Sequence, residues 1–541
     1  MKKALLIILL LSYKLAIAQY TFKSLDLVPG TSGSYPEFIT AIDNRLYFFA
    51  KDANGAYHPW VSDGTTGGSF MLASVAHAIK SVNILNFVPT THGVVFVAQD
   101  ATNGEELWVT DGTTAGTHII KDINPGTGAI DIMDYAVLNG SMIFQANDGT
   151  HGVELWSTDG TDTGTVMLKD IATGNQSSNP SGFYTYGSKV YFSANDAVHG
   201  AELWMTDGTD TGTNMLMDIN PGAGSSGPYL FQEANSYLFF RADDGTHGNE
   251  PWSTDGTMLN THIILDTDPS GNCNGSFAQT VGNNVFFDCG DKLWVTDLTS
   301  GGTKMIKSVA GNASLTPTYP AAYNGKLYFS AVDTAGNELW VSDGTDAGTY
   351  MVKDIDQQIA GGKNRDSDPF SITTYNSKMY FTATTYLAPL HLDLYTSDGT
   401  ATGTNSIAPW GAFKPEAMYA NYSTMRFAEL NGWLYFSAEY DGIGPELWAL
   451  KDVPDAIRPV VKASAIRIYP NPSHGSFVLD CSNSGSDKGL LTVYDMTGKQ
   501  VYRQNITGNH TTINIPGLAK GIYQLQLRQD DLLHTQKLVV Q

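Results

Sequence analysis

The stretch that decides the fold runs Phe183-Tyr-Thr-Tyr186, Lys189-Val-Tyr-Phe-Ser-Ala194, Ala201-Glu-Leu-Trp-Met-Thr206 and Asn214-Met-Leu-Met-Asp-Ile219. Its four short segments are rich in β-branched and aromatic residues and are separated by turn residues, the pattern of consecutive strands. The third and fourth are joined by Asp207-Gly-Thr-Asp-Thr-Gly-Thr213. Working outward, the tryptophan of the third segment recurs. Trp60, Trp108, Trp156, Trp204 and Trp252 are 48 residues apart, and Trp294, Trp340, Tyr395 and Trp448 follow at 42, 46, 55 and 53. Nine repeats of four short strands predict an all-β chain built as a large β-propeller. Eight blades with one irregular repeat outside the ring is the alternative, because the sixth and eighth repeats depart from the pattern. A helical solenoid is excluded, since no 3.6-residue periodicity is present.

The ends of the repeat region suggest how the ring closes. The ninth repeat stops after Glu446-Leu-Trp-Ala449 without a fourth segment, whereas Thr21-Phe-Lys-Ser-Leu-Asp-Leu27 matches the missing one. The N-terminal strand is therefore predicted to complete the last blade and remove an exposed edge. Two-residue turns such as Asn139-Gly140, Asn324-Gly325 and Asn431-Gly432 favour tight hairpins between the first and second strands.

Three repeats carry a more specific signature: Glu106-Leu-Trp-Val-Thr-Asp-Gly-Thr113, Glu154-Leu-Trp-Ser-Thr-Asp-Gly-Thr161 and Glu338-Leu-Trp-Val-Ser-Asp-Gly-Thr345. They resemble the ELWxxDGT repeat of bacterial surface and secreted proteins. The resemblance implies a fold and a location; that family has no agreed activity.

The 541 residues carry 31 Lys and Arg against 54 Asp and Glu, a formal charge of 31 − 54 = −23. A chain this acidic lacks the clustered cations that nucleic-acid phosphates require. Lys2 and Lys3, the apolar run Ala4 to Leu11 and the small-residue site Ala16-Ile17-Ala18 read as a secretory signal peptide over residues 1–18. No later run reaches the roughly 18 apolar residues of a membrane helix. Cys273 and Cys289 stand 16 residues apart in one repeat and can pair in an oxidising compartment, while Cys481 lies elsewhere.

Residues 19–453 are assigned to the propeller, 454–465 to a linker and 466–541 to a separate module. That module has 7 Lys or Arg and 5 Asp, a charge of +2, which marks a boundary independently of the repeats. Its alternating segments, Ile466–Ile468, Ser476–Leu479, Leu490–Tyr494, Thr512–Ile515, Tyr523–Leu527 and Gln536–Val540, predict a small immunoglobulin-like sandwich. Tyr469-Pro-Asn-Pro472, Tyr494-Asp-Met-Thr-Gly498, Leu518-Ala-Lys-Gly-Ile-Tyr523 and Lys537-Leu-Val-Val-Gln541 resemble, in this order, the type A C-terminal sorting domain of the Bacteroidota type IX secretion system. The resemblance implies export in two steps, by the signal peptide to the periplasm and by this module across the outer membrane. The secretion machinery is then the partner, and the mature chain is released or held at the surface.

The Asp-Gly-Thr turns at Asp63, Asp111, Asp159, Asp207, Asp255, Asp343 and Asp398, with a variant at Asp297, read as building parts, because Asp accepts hydrogen bonds within its own turn and Gly supplies a positive φ. Strand parity puts the second-to-third and fourth-to-first connections on one face, where ligands of propellers usually sit. On that face Asp-x-x-His-Gly-x-Glu recurs in three consecutive repeats, as Asp148/His151/Glu154, Asp196/His199/Glu202 and Asp244/His247/Glu250. These nine residues are the ligand-binding candidates, since imidazole and carboxylate can bind a polar ligand, hold a metal or exchange protons. Two irregular acidic loops supply a calcium expectation: Asp266 and Asp268 in one, Asp354, Asp356, Asp366 and Asp368 in the other. Gly-x-Ser-x-Gly, His-Glu-x-x-His and Gly-x-x-x-x-Gly-Lys are all absent. The sequence therefore favours a binding or adhesion module for a glycan or protein, with no catalytic residue assigned. A carboxylate-dependent polysaccharide hydrolase or lyase and a structural surface component are the alternatives.

Overall fold

The computed structural model describes residues 20–29, 33–77, 87–269, 271–307, 311, 314–357, 359–360, 363–385, 391–407, 426–438, 444–452, 467–480, 488–495, 499–508, 510–529 and 532–541. The expectations for residues 1–18, the linker 454–465 and Cys481 lie outside the described residues. The chain divides into two compact bodies, Met1–Asp452 and Val453–Gln541.

In the first body each repeat makes one antiparallel sheet of four or five strands, nine among the described residues, and a separate two-stranded hairpin, Ile359–Ala360 with Lys363–Asn364, precedes the eighth. The fourth blade has strands Ser181–Tyr186, Lys189–Asn195, Ala201–Thr206 and Asn214–Met217, paired in chain order. The sixth repeat, in spite of its short hairpin, forms Ala278–Val281, Asn284–Cys289, Lys292–Thr296 and Lys304–Ile306. The eighth forms Phe370–Tyr375, Lys378–Thr385, His391–Ser397 and Asn405–Ser406. Neither irregular repeat is left without its sheet. The ninth blade is Ala428–Leu430, Trp433–Ala438 and Glu446–Asp452, and Tyr20–Leu25 pairs with the last of these as its fourth strand. Tyr20 lies opposite Asp452 and Leu25 opposite Leu447.

Hydrophobic clusters join each sheet to the next. Leu138 and Leu155 of blade three pack with Phe192 and Trp204 of blade four. Phe286 and Leu293 of blade six pack with Phe329 and Trp340 of blade seven. Blade nine packs on both sides, through Leu434 and Phe436 against Tyr380 and Leu394 of blade eight, and through Leu25 and Leu447 against Leu46 and Phe48 of blade one. Each repeated tryptophan thus sits in the layer between two blades, where a large ring removes the most apolar surface from water.

The Asp-Gly-Thr turns are built alike. Asp207 Oδ1 accepts the Thr209 N–H at 3.0 Å and the Thr209 hydroxyl at 2.7 Å, and Thr209 Oγ1 accepts the Gly212 N–H. Gly208 between them has φ +88°. Asp63, Asp111, Asp159, Asp255, Asp297, Asp343 and Asp398 hold their own Thr the same way.

The second body has two sheets: Arg467–Tyr469, Ser476–Asp480 and His510–Asn514 in one, and Gln500–Thr507, Lys488–Tyr494, Gly521–Gln529 and Leu532–Val540 in the other. Phe477, Leu479, Leu491, Leu525 and Leu538 fill the space between them. Asn471 acts as a strand substitute at the free edge of the last strand. Its Nδ2 donates to the Lys537 carbonyl at 2.7 Å and its Oδ1 accepts the Val539 N–H at 2.8 Å.

Candidate functional site

The Asp-x-x-His-Gly-x-Glu motif spans a hairpin tip and the start of the third strand, so its residues meet different environments. At the tip of blade three, Asp148 Oδ1 accepts the N–H groups of Thr150 and His151, both at 2.8 Å, and its Oδ2 lies 2.7 Å from His151 Nδ1. Asp196 with His199 and Asp244 with His247 repeat this geometry. In blade two Asn103 takes the histidine's place, and its amide reaches Asp100 Oδ2 at 2.8 Å. Closing the tip therefore needs a hydrogen-bond donor, not specifically an imidazole. What the imidazole adds is its second nitrogen: with Nδ1 engaged by Asp, Nε2 accepts when the ring is neutral and donates when it is charged. The hydrogen bond to Asp148 holds the His151 pKa above its ordinary value, with Asp170 and Glu154 adding to the effect. His199 and His247 are raised for the same reason by Asp196 and Asp244.

The glutamates of the motif are placed apart from this exposed tip. Glu154, Glu202 and Glu250 are fully buried. Glu154 accepts the Ile171 N–H at 2.8 Å, the Ser178 N–H at 2.8 Å and the Ser178 hydroxyl at 2.6 Å. Glu202 holds Ile219 and Ser226 in the same way, and Glu250 holds Thr267. Glu338 with Ser367 and Glu446 with Ser34 extend the series. These carboxylates brace the fourth-to-first connection from the interior. Burial dominates their titration, pushing Glu106 up to about 7 and Glu338 up to about 8.

The serine partners were not singled out in the sequence. Ser34, Ser178, Ser226 and Ser367 each stand two residues before a proline, in Ser-Tyr-Pro, Ser-Asn-Pro, Ser-Gly-Pro and Ser-Asp-Pro. That recurring Ser-x-Pro was the available signal. Also missed were Asp170 and Asp218, which follow the fourth strands of blades three and four as the calcium candidates Asp266 and Asp354 follow those of blades five and seven. One carboxylate oxygen of each of Asp170, Asp218, Asp266 and Asp354 is buried without a hydrogen-bond partner.

The two irregular loops lie on the same face as the tips. Asp268 donates its N–H to Glu250, at 3.3 Å. Asp356 is buried. Asp366 Oδ1 accepts the Asn337 N–H at 2.7 Å, and Asp368 Oδ1 accepts the Asn337 side-chain amide at 2.9 Å. Asp354 is raised by burial and by the neighbouring carboxylates of Asp356 and Asp333. Among the described residues no group of three or more His, Cys, Asp or Glu side chains is placed to hold a metal ion. Cys273 and Cys289 are joined by a disulfide, with their Cα atoms 4.7 Å apart.

Comparison with known proteins bears on the second body. Residues 467–541 match the family described as the secretion system C-terminal sorting domain. The protein is exported to the cell surface or released, and the sorting domain marks it as cargo of the type IX secretion machinery. No helix among the described residues is long and apolar enough to cross a membrane. No curated protein is similar enough to count as a relative of this chain. Among solved structures, puromycin hydrolase is 12% identical with a TM-score of 0.34, covering 76% of this chain. This chain spans 59% of that structure's length. PorZ, described as a surface component of the type IX secretion system of Porphyromonas gingivalis, is 11% identical with a TM-score of 0.18. The match covers 96% of this chain and all of PorZ. The extracellular domain of the hybrid two-component protein BT4673 from B. thetaiotaomicron is 11% identical with a TM-score of 0.28, over 93% and 80% of the two chains. Likeness at this level carries no argument about activity.

Proposed function

We propose that this protein is a secreted or surface-displayed β-propeller that acts as a binding or adhesion module for a glycan or a protein. The observation that carries the reading is the sorting-domain match at residues 467–541, which makes the nine-sheet body the cargo. Export is proposed to begin with a signal peptide at residues 1–18. Nine copies of a segment resembling the ELWxxDGT repeat support a surface location. The placement of the repeated carboxylates supports binding over catalysis: the Glu of each motif is buried in bracing a loop, and the Asp of each turn grips its own Thr. Three exposed Asp–His tips on consecutive blades remain to meet a polar ligand from one face.

The test incubates the full secreted chain with immobilised polysaccharides and with extracellular proteins, scoring retention and newly cut ends together. Retention without cleavage, weakened by His151→Ala, His199→Ala and His247→Ala combined, is the expected result. New chain ends would replace this reading with the hydrolase or lyase. Silence on both would favour a structural surface component.

A further inference from the structure

Arg241 is the largest of the fully buried side chains among the described residues, and its surroundings are unusual for a cation. It projects from the second strand of blade five, Tyr237–Asp243, toward blade six. Its direct partners are all neutral. Nη1 donates to the Asp288 carbonyl at 3.1 Å, Nη2 donates to Cys273 Sγ, and the Tyr229 hydroxyl is the third contact. Nε is buried with no hydrogen-bond partner. The carboxylates of Asp288 and Glu250 act on the guanidinium only through space. Asp288 is committed to the N–H groups of Ser276 and Phe277, and Glu250 to Thr267. A buried charge without a counter-charge in contact is costly. Two groups in contact with Arg241 can become anions, the Tyr229 hydroxyl and, once the disulfide is opened, the sulfur of Cys273; a thiol is ordinarily the stronger acid of the two.

We propose that Cys273–Cys289 is a thiol-exchanging site, in which Cys289 takes up a small thiol and Cys273 leaves as a thiolate paired with Arg241. A neighbouring guanidinium favours thiolate over thiol, and a disulfide whose reduced form is stabilised exchanges more readily. Burial decides the direction of attack. Cys273 is sealed at 0% exposure, whereas Cys289 retains 8%. The incoming thiolate R–S⁻ forms a bond to Cys289 Sγ, the Cys273–Cys289 bond breaks, and its electron pair stays on Cys273. The product is a mixed disulfide, R–S–S–Cys289, with a Cys273 thiolate beside Arg241. A second thiol releases R–S–S–R and leaves the reduced pair. Opening the bond frees the connection between His262–Ile263 and Ala278–Val281, which carries Asp266 and Asp268 on the ligand face. The exchange is independent of what the propeller binds.

The full chain is equilibrated in glutathione buffers of graded ratio, trapped by alkylation and weighed, as wild type, Arg241→Lys and Arg241→Met. Arg241→Met is expected to need an about tenfold more reducing buffer for half-reduction, with Arg241→Lys near wild type. The reduced wild type should also show the ultraviolet absorbance of a thiolate near neutral pH, absent from reduced Arg241→Met. If Arg241→Met does not fold, the thiolate absorbance of Cys289→Ser, which leaves Cys273 alone beside Arg241, decides the matter. Equal midpoints in the three proteins, or no thiolate absorbance in the reduced wild type or in Cys289→Ser, would overturn the proposal.

Discussion

At the residue scale, the motif Asp-x-x-His-Gly-x-Glu divides its labour by burial. Asp and His stay at the tip, while the glutamate turns inward to hold three donors of a connection up to 24 residues away. Glu154→Ala would strand those donors, and each orphaned buried group costs roughly 1–3 kcal/mol. The expected loss is on the order of 3 kcal/mol, read as a lower urea midpoint in equilibrium unfolding. Ionisation gives a second expectation. Glu106 and Glu338, pushed up to about 7 and about 8, keep their protons in the fold at pH values where the unfolded chain has released them. Their contribution is complete below the ordinary 4.5 and is lost as pH rises through 7 to 8. The raised histidines act with the same sign, complete below 6.5 and fading as pH climbs through their folded values. The turn aspartates, lowered by their own Thr, act oppositely and lose their contribution as pH falls below 3.8. Thermal melts should therefore show greatest stability in mildly acidic buffer, and Glu338→Gln should flatten the decline above neutrality.

At the element scale, the regular strands were legible because their β-branched and aromatic composition and the turn residues between them agree. The second and third strands of blade four, expected at Lys189–Ala194 and Ala201–Thr206, form at Lys189–Asn195 and Ala201–Thr206. Gln500–Thr507 escaped the reading. It is an edge strand whose residues are mostly polar or half-exposed, so burial imposes no alternation on it. The N-terminal strand shows the reverse case, a segment recognised by likeness to other fourth strands and paired far along the chain. Leu25 at its end is 1% exposed between blades nine and one. Leu25→Ala is expected to cost about 2–5 kcal/mol. Calorimetry should show a lower transition temperature for the propeller, with the transition of the C-terminal body unmoved.

At the scale of the whole molecule, the C-terminal body carries the export task, and recognition is the task proposed for the propeller. Chains ending at residue 465 are expected to accumulate in the periplasm, as cell fractionation would show, because the matched sorting domain is gone. While the structure decided that both irregular repeats form sheets, the sequence by itself determined the period, the pairing of the N-terminal strand with the ninth repeat and the sorting module. Each of these rests on local pattern repeated many times. Only the tertiary structure decided which carboxylates face solvent. Asp148 and Glu154 are six residues apart in one motif, yet Asp148 stays in the hairpin tip while Glu154 enters the third strand and is covered by Ser178 of the next connection, which places it in the interior. The same holds for Arg241 and Cys273. Nothing in their separate repeats announces a contact, which arises because neighbouring blades pack face to face and leave a buried cation with a sulfur among its partners.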